Sequence, residues 1–387
     1  MFKFYDFEVF KKDWLVVIID PTSGEYTTIV NDKDALEKFY DEHKHEIWVG
    51  YNSAHYDQYI LKGILLGMDP KEVNDAIIVR GMKGWQVSRC FWEIPLINFD
   101  VFHPKVDRGL KTHEAYMGNS IQETSVPFDI DRKLTEQELE DVVKYCTHDV
   151  EQTIEVFQRR YSEFEAKYLV VKEFNLPLSC IGKTEAQLTA TVLDAAPPRK
   201  DRGDEFDLEV LDCIELGPYS FLRDWYLDEE NHDYSNSIEF DLAGCPHICA
   251  WGGLHGALQQ YTAEGYFVLM DVTSYYPSLM IEHSLLSRNV ADAKKFKQIY
   301  DERVELKAKK DPRQAAMKLL LNATYGASKD KYNRLYDPRQ ANMVCMNGQL
   351  MLVDLMQHLV KGAGAEIVQS NTDGVLVKMP ESYEREY

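Results

Sequence analysis

The sequence predicts a multidomain protein, α/β in its N-terminal part and α+β in its C-terminal part. Three observations carry this reading. The chain has 387 residues, 45% of them hydrophobic and 28% charged, which describes a soluble globular protein with room for two or three cores. In the first 165 residues, short apolar runs alternate with stretches of helical period. Beyond residue 245, apolar runs that end in polar turns flank a pair of helical stretches. No apolar run reaches the eighteen or so residues that a membrane-crossing helix needs. The chain opens Met1-Phe2-Lys3-Phe4-Tyr5-Asp6, without a basic-then-apolar leader, and its 7 cysteines are scattered. The expectation is a cytoplasmic protein with reduced thiols.

Taken in order, residues 2–8 (FKFYDFE) and 14–20 (WLVVIID) read as two strands of a hairpin. Asp6 and Glu8 stand at i and i+2, so both point to one face. Residues 47–51 (IWVGY) form another apolar strand, which runs into Asn52-Ser-Ala-His-Tyr56-Asp57 and a helix over 58–66. Thr135-Glu-Gln-Glu138 is a capping box that opens a helix reaching about Gln158. Within it Tyr145 and Asp149, at i and i+4, are neighbours on one face, and His148 points off that face. Asp6, Glu8, Asp57 and Asp149 with Tyr145 suit a two-metal hydrolytic site, because magnesium takes hard oxygen ligands. Either pattern alone, DxE on a strand or YxxxD on a helix, is ordinary surface chemistry.

The middle of the chain carries no readable chemistry. Residues 163–175 and 183–194 are helical, 195–203 (AAPPRKDRG) is a loop, and 219–230 is an amphipathic helix with Phe221, Leu222, Trp225 and Tyr226 on one side. Cys245-Pro-His247-Ile-Cys249 lacks a second half with zinc-ligand spacing and reads as core cysteines. Gly252-Gly253 is either a turn between strands or a place where a ligand approaches the backbone.

Residues 265–270 (GYFVLM) read as a buried strand that delivers Asp271 into a turn, and Pro277 breaks the element soon after. Residues 365–369, the turn Ser370-Asn371-Thr372-Asp373-Gly374 and residues 375–377 form a hairpin with Asp373 at its tip. Asp271 and Asp373 together could share two magnesium ions for an in-line phosphoryl transfer. A single strand-end Asp is commonest as a turn former, so neither carries the reading alone. Between them, 294–310 and 314–325 are helices joined at Asp311-Pro312, an αα-hairpin. Lys318, Asn322 and Tyr325 share one face of the second helix, and Arg303, Lys307 and Lys318 can converge on a triphosphate. The net charge of −21 argues against a nucleic-acid binder, but 288–334 holds 13 Lys and Arg against 6 Asp and Glu, a basic segment in an acidic chain.

These stretches carry a resemblance. DVTSYYPS, KLLLNATYG and SNTDGV, in that order, resemble motifs A, B and C of the family B DNA polymerases. The N-terminal carboxylates resemble the DEDD-type 3′–5′ exonuclease in its tyrosine variant: Asp6 and Glu8 match its first motif, Asn52 and Asp57 its second, Tyr145 and Asp149 its third. Gly109-Leu-Lys111 and Pro127-Phe-Asp129-Ile-Asp131 resemble phage members of that group, without an assigned catalytic role.

The resemblance implies a ribonuclease H-like exonuclease domain over 1–165 and a connecting helical region over 166–245. It implies a polymerase palm over 246–287 and 335–387, interrupted by short helical-hairpin fingers over 288–334. It implies two Mg²⁺ ions at each active site, with Mn²⁺ able to substitute. Tyr276 would pack under the sugar and exclude a 2′-hydroxyl, and Tyr325 would support the nascent base pair. Gly252 and Gly253 match an element that touches the template, although Ala250 replaces its aromatic residue. Asn371 replaces the first aspartate of motif C. The implied partners are primer-template DNA and dNTPs. The thumb that follows motif C in the family is not seen before Tyr387, so a separate thumb-bearing polypeptide or replication accessory proteins are expected. No insertion of the protein-primed subgroup is visible between Asp271 and Lys318, and no terminal protein is expected. The setting implied is phage replication in a bacterial cytoplasm. Two readings compete with a proofreading polymerase: an active exonuclease fused to an inactive polymerase remnant, and a non-catalytic binding module.

Overall fold

The computed structural model describes residues 1–102, 108–199 and 202–382. The chain divides into two compact units, Met1–Lys183 and Thr184–Tyr387. Among the described residues, no helix is long and apolar enough to cross a membrane.

The first unit opens with β1 (Phe2–Val9), β2 (Trp14–Asp20) and β3 (Glu25–Val30), then α1 (Lys33–His43) and β4 (Ile47–Gly50). Next come α2 (Asp57–Leu65), α3 (Pro70–Asn74), a π-helical turn over Asp75–Val79, α4 (Gly84–Val87) and a 3₁₀ turn over Arg89–Glu93. β5 (Ile97–Asp100), α5 (Leu110–Met117), α6 (Glu136–Arg159), α7 (Tyr161–Glu173) and a 3₁₀ turn over Leu178–Gly182 complete it. The strands form one sheet in the order β3-β2-β1-β4-β5. β1, β2 and β3 are antiparallel, and β4 and β5 run parallel to β1.

The alternation along β1 explains the two layers. Phe2 and Phe4 face a core that includes Val142, Cys146, Val150 and Phe157 of α6. Tyr5, Phe7 and Val9 face the opposite core, with Leu36 of α1 and Ile60 and Leu61 of α2. Asp6 and Glu8 continue the Phe2–Phe4 row, so the strand aims both carboxylates at α6. The capping box at the head of α6 forms as predicted, with Thr135 and Glu138 bonded reciprocally. The expected boundary at residue 165 falls inside α7. Phe164 of that helix packs edge-on to Phe2, Phe99 and Phe157, at centroid distances of 5.2, 5.1 and 5.4 Å, which ties α7 to this unit.

The second unit starts with α8 (Glu185–Val192) and α9 (Ser220–Leu227), the latter shorter than the predicted 219–230. β6 (Ser237–Leu242), β7 (Cys245–Ala250), β8 (His255–Ala257) and β9 (Phe267–Asp271) follow. Then come α10 (Tyr275–Glu282), the paired α11 (Ala293–Ala308) and α12 (Gln314–Lys329), α13 (Pro338–Ala363), β10 (Glu366–Asn371) and β11 (Gly374–Lys378). The sheet order is β6-β7-β8-β10-β11-β9. α13 supplies much of the core through Val344, Met346, Leu350, Val353 and Met356, all fully buried.

Two expectations are corrected or resolved. The strand leading to Asp271 is not buried: β9 is an edge strand in that order, and Leu269 is 72% exposed. A short apolar run reports strand propensity, and it does not report whether anything covers the strand. Cys245, His247 and Cys249 lie in the core, where His247 Nδ1–H donates to the Cys245 carbonyl at 2.8 Å.

Candidate active sites

In the first unit, β1, α2 and α6 gather the four carboxylates. Asp57, the first residue of α2, accepts a hydrogen bond from Phe7 N–H at 3.0 Å, so the backbone of β1 fixes it beside Asp6 and Glu8. From α6, the Cys146 thiol reaches to 3.6 Å from the Asp6 carboxylate. Ligand atoms of Asp6, Glu8 and Cys146 all lie within 4.8 Å of one another. Burial, and then the charges of Asp57, Glu8 and Asp149, push the Asp6 carboxyl well above the carboxylate range. Burial, then Asp149 and Asp57, push Glu8 up in the same way. Burial also raises Asp57, although the Phe7 N–H opposes it. Burial raises Asp149, against the pull of Lys111 and of the Tyr145 hydroxyl. The Tyr145 phenol is raised by burial and then by Asp149 and Glu8, so it remains a proton donor.

The sequence reading missed the cation of this cluster. The Lys111 ammonium, on α5, bonds to Asp149, stands 3.2 Å from Glu114 and lies 4.7 Å over the Tyr145 ring. His148, read from its position as incidental, is 3.3 Å from the fully buried Glu114. Glu114 therefore joins Lys111 and His148 in a row behind Asp149. The signal was present in Gly109-Leu-Lys111, but nothing in the sequence places α5 against α6. Asn52 is exposed in the turn between β4 and α2, with φ at +59°.

In the second unit, strand pairing brings Asp271 and Asp373 together. Asp271 pairs with Gly374 across β9 and β11, and Val272 N–H donates to the Asp373 carbonyl at 2.9 Å. Burial, and then the charge of Asp271, raise the Asp373 carboxyl. Asp373 and Thr372 form the two-residue tip between β10 and β11, with Thr372 at φ +49°. Thr372 N–H donates to the Leu254 carbonyl at 2.9 Å, which docks the Gly252-Gly253 loop against this tip. A Cβ on Gly253 would stand 3.0 Å from Thr372 Oγ1, so a larger residue there would press on the tip. Gly252 is exposed, while Trp251 is buried and anchors the loop through Nε1–H to the Asn231 carbonyl at 3.0 Å.

The predicted nucleotide-binding residues divide into two groups. Tyr276 meets Tyr325 ring to ring at 4.6 Å, and its hydroxyl donates to the Gly252 carbonyl at 3.4 Å. Arg303 bonds to Ser274, a residue with φ +54°, and its Nε is buried without a hydrogen-bond partner among the described residues. Lys318 and Asn322 are exposed on α12, and Lys307 is exposed on α11. A further support was not foreseen: the Tyr275 hydroxyl donates to the Gly348 carbonyl of α13 at 2.6 Å. A Cβ at 348 would meet Leu279 at 3.1 Å and both tyrosine rings at 3.4 Å, so this glycine lets α10 close on α13.

No protein-family model matches the sequence, and no curated protein sequence matches it. Among solved structures, the chain resembles the family B DNA polymerase from the hyperthermophilic archaeon Pyrobaculum calidifontis, with a TM-score of 0.52 at 16% identity. The match covers 98% of this chain and 53% of that one, so the chain spans about half the length of that polymerase. The likeness is one of fold: this mixed α/β chain has a family B polymerase-like fold.

Proposed function

We propose that the chain is a DNA-dependent DNA polymerase with a proofreading 3′–5′ exonuclease, serving phage DNA replication. One observation carries the polymerase half. Asp271 and Asp373 are set side by side by strand pairing, in the unit where Tyr276 and Tyr325 meet beside the Gly252-Gly253 loop. The exonuclease half is supported by the buried cluster of Asp6, Glu8, Asp57 and Asp149.

The donor sets fit divalent cations. They are carboxylate oxygens, and in the first unit burial with mutual repulsion raises the carboxyls, a cost that a dication removes. Asp6, Glu8, Asp57 and Asp149 would hold magnesium or manganese in the first unit, and Asp271 and Asp373 in the second. Bound there, the ion supplies Lewis acidity toward phosphoryl oxygens and lowers the pKa of a ligated oxygen. Tyr145, kept protonated, orients the attacking water by its O–H. Asn52 contacts the single strand, and Gly252 and Gly253 the template backbone. Arg303, Lys307 and Lys318 take the triphosphate oxygens, with Asn322 on the same helix face. Tyr276 lies under the sugar and selects against a 2′-hydroxyl, and Tyr325 supports the base pair. Primer-template DNA and dNTPs are the substrates.

A second reading keeps only the exonuclease; Asn371 departs from motif C there, while Asp271, Lys318 and Asp373 oppose that reading. Primer extension in an Asp6→Ala background, beside 3′-end degradation in an Asp271→Ala background, separates the two. Extension that Asp271→Ala abolishes supports the polymerase. Tight binding of primer-template without any nucleotide addition leaves the exonuclease alone. Loss of neither activity on substituting these aspartates overturns both assignments.

A further inference from the structure

The segment after α3 presents large apolar side chains to solvent on a rigid base. Trp85 is 59% exposed, Trp92 84% and Val79 74%. Their neighbours are fixed. Gly84 is buried so tightly that a Cβ there would stand 2.0 Å from a Tyr59 ring carbon. Phe91 is in the core, 5.5 Å from the Tyr59 ring. Each tryptophan directly follows one of these anchors and therefore projects from a held backbone. The segment that carries them is cationic. Arg80, Lys83 and Arg89 are exposed, and no acidic residue occurs from Arg80 to Trp92, in a chain of net charge −21. Flat aromatic faces interleaved with exposed cations are the chemistry that binds unpaired nucleotides: bases stack, and phosphates meet the charges. The location matches. The Tyr56 hydroxyl donates to Asn74 at 2.7 Å, at the root of the π-helical turn, and Tyr56 directly precedes Asp57. Such turns are frequent at functional sites.

We infer that Trp85 and Trp92, with Arg80, Lys83 and Arg89, form a docking surface for single-stranded DNA beside the carboxylate cluster. That the bound strand is fed to hydrolysis rests on the exonuclease reading; the docking itself rests on the patch.

The test uses the full chain in EDTA with an oligothymidylate carrying 5-iodouracil. Ultraviolet crosslinking followed by peptide mass spectrometry is expected to mark Trp85 or Trp92. In fluorescence anisotropy, each Trp→Ala change is expected to weaken binding by about fivefold or more. The Trp85→Phe and Trp92→Phe pair, which keeps an aromatic face, is expected to restore most of it. Lys83→Gln is expected to flatten the salt dependence. With Mg²⁺, Trp92→Ala is expected to raise the KM for strand degradation. Hydrolysis of thymidine 5′-(p-nitrophenyl phosphate), too short to span both places, should stay unchanged. Crosslinks confined to other segments, with unchanged affinity in the alanine variants, overturn the docking surface. So does loss of binding to phosphatidylglycerol vesicles while oligonucleotide affinity stays intact, which would identify a membrane contact. If the unaltered chain hydrolyses neither substrate with Mg²⁺ or Mn²⁺, the exonuclease reading fails, and crosslinking still decides the patch.

Discussion

Three non-glycine residues at or near the proposed sites have a left-handed backbone: Asn52 at φ +59°, Ser274 at +54° and Thr372 at +49°. Such conformations are costly, most of all for a β-branched side chain, and they persist where the surroundings over-determine them. At Thr372 the surroundings are the Leu254 carbonyl and the paired strands on either side. Thr372→Gly is therefore expected to leave stability unchanged within about 1 kcal/mol, as relief of strain offsets backbone entropy. It should slow extension by loosening Asp373. A clear fall in Tm together with unchanged extension would show that the tip stores nothing relevant to the site. A second residue-scale case is Lys3, buried on β1, 2.7 Å from Asp20 and 3.5 Å from Glu46. The Lys3 hydrogen bond holds the Asp20 carboxyl down at about 2. A depressed carboxyl stabilises the fold above its unfolded pKa and loses that contribution as pH falls toward the folded value. Asp20→Asn is expected to cost about 1–3 kcal/mol at pH 7, with Glu46 left as a partner for Lys3. The gap should narrow below about pH 4, where the unfolded carboxyl also takes up protons. Urea midpoints at pH 7 and pH 3 read both.

At the scale of elements, the capping box of α6 and the glycine of α13 can each be tested in isolation. Thr135→Ala removes the acceptor for Glu138 N–H and should cost about 1 kcal/mol. Gly348→Val forces two methyl groups against Leu279 and the tyrosine rings, and overpacking of this kind costs about 1–3 kcal/mol. It should also displace Tyr276 and so reduce extension, while 3′ degradation in the other unit stays intact. The elements that carry these residues differed in how plainly the sequence announced them. α6 and α12 were legible because a cap or a repeated face marks them locally. β3 was not, since only Ile29 of it is buried and an edge strand needs no apolar row. α13 was missed because it is buried on most sides and Gln340, Asn342, Asn347 and Gln349 are among its buried residues, which blurs the apolar stripe that marks a one-sided helix. Among the clustered side chains of the first unit, Asp6 and Glu8 share a face by their i, i+2 spacing, and one backbone hydrogen bond from Phe7 N–H holds Asp57 beside them. Lys111, Glu114 and His148 were not, because helix-on-helix packing sets that contact, and sequence spacing does not encode it.

At the scale of the molecule, two units with separate cores imply two unfolding transitions. In scanning calorimetry, Asp20→Asn should lower only the transition of Met1–Lys183, and Gly348→Val only that of Thr184–Tyr387. A single transition that both variants shift would show that the units unfold as one. The position of β9 has a different consequence. As an edge strand of its sheet, it leaves one row of backbone N–H and C=O groups unclaimed by any described strand. Beside that row are the exposed side chains of Tyr266, Phe267 and Leu269. Rows of this kind recruit matching strands from other molecules. Concentrated protein is thus expected to self-associate through the strand that carries Asp271, hiding that carboxylate. Light scattering should rise with concentration, and Leu269→Lys, a charge placed on that open rim, should keep the particles small.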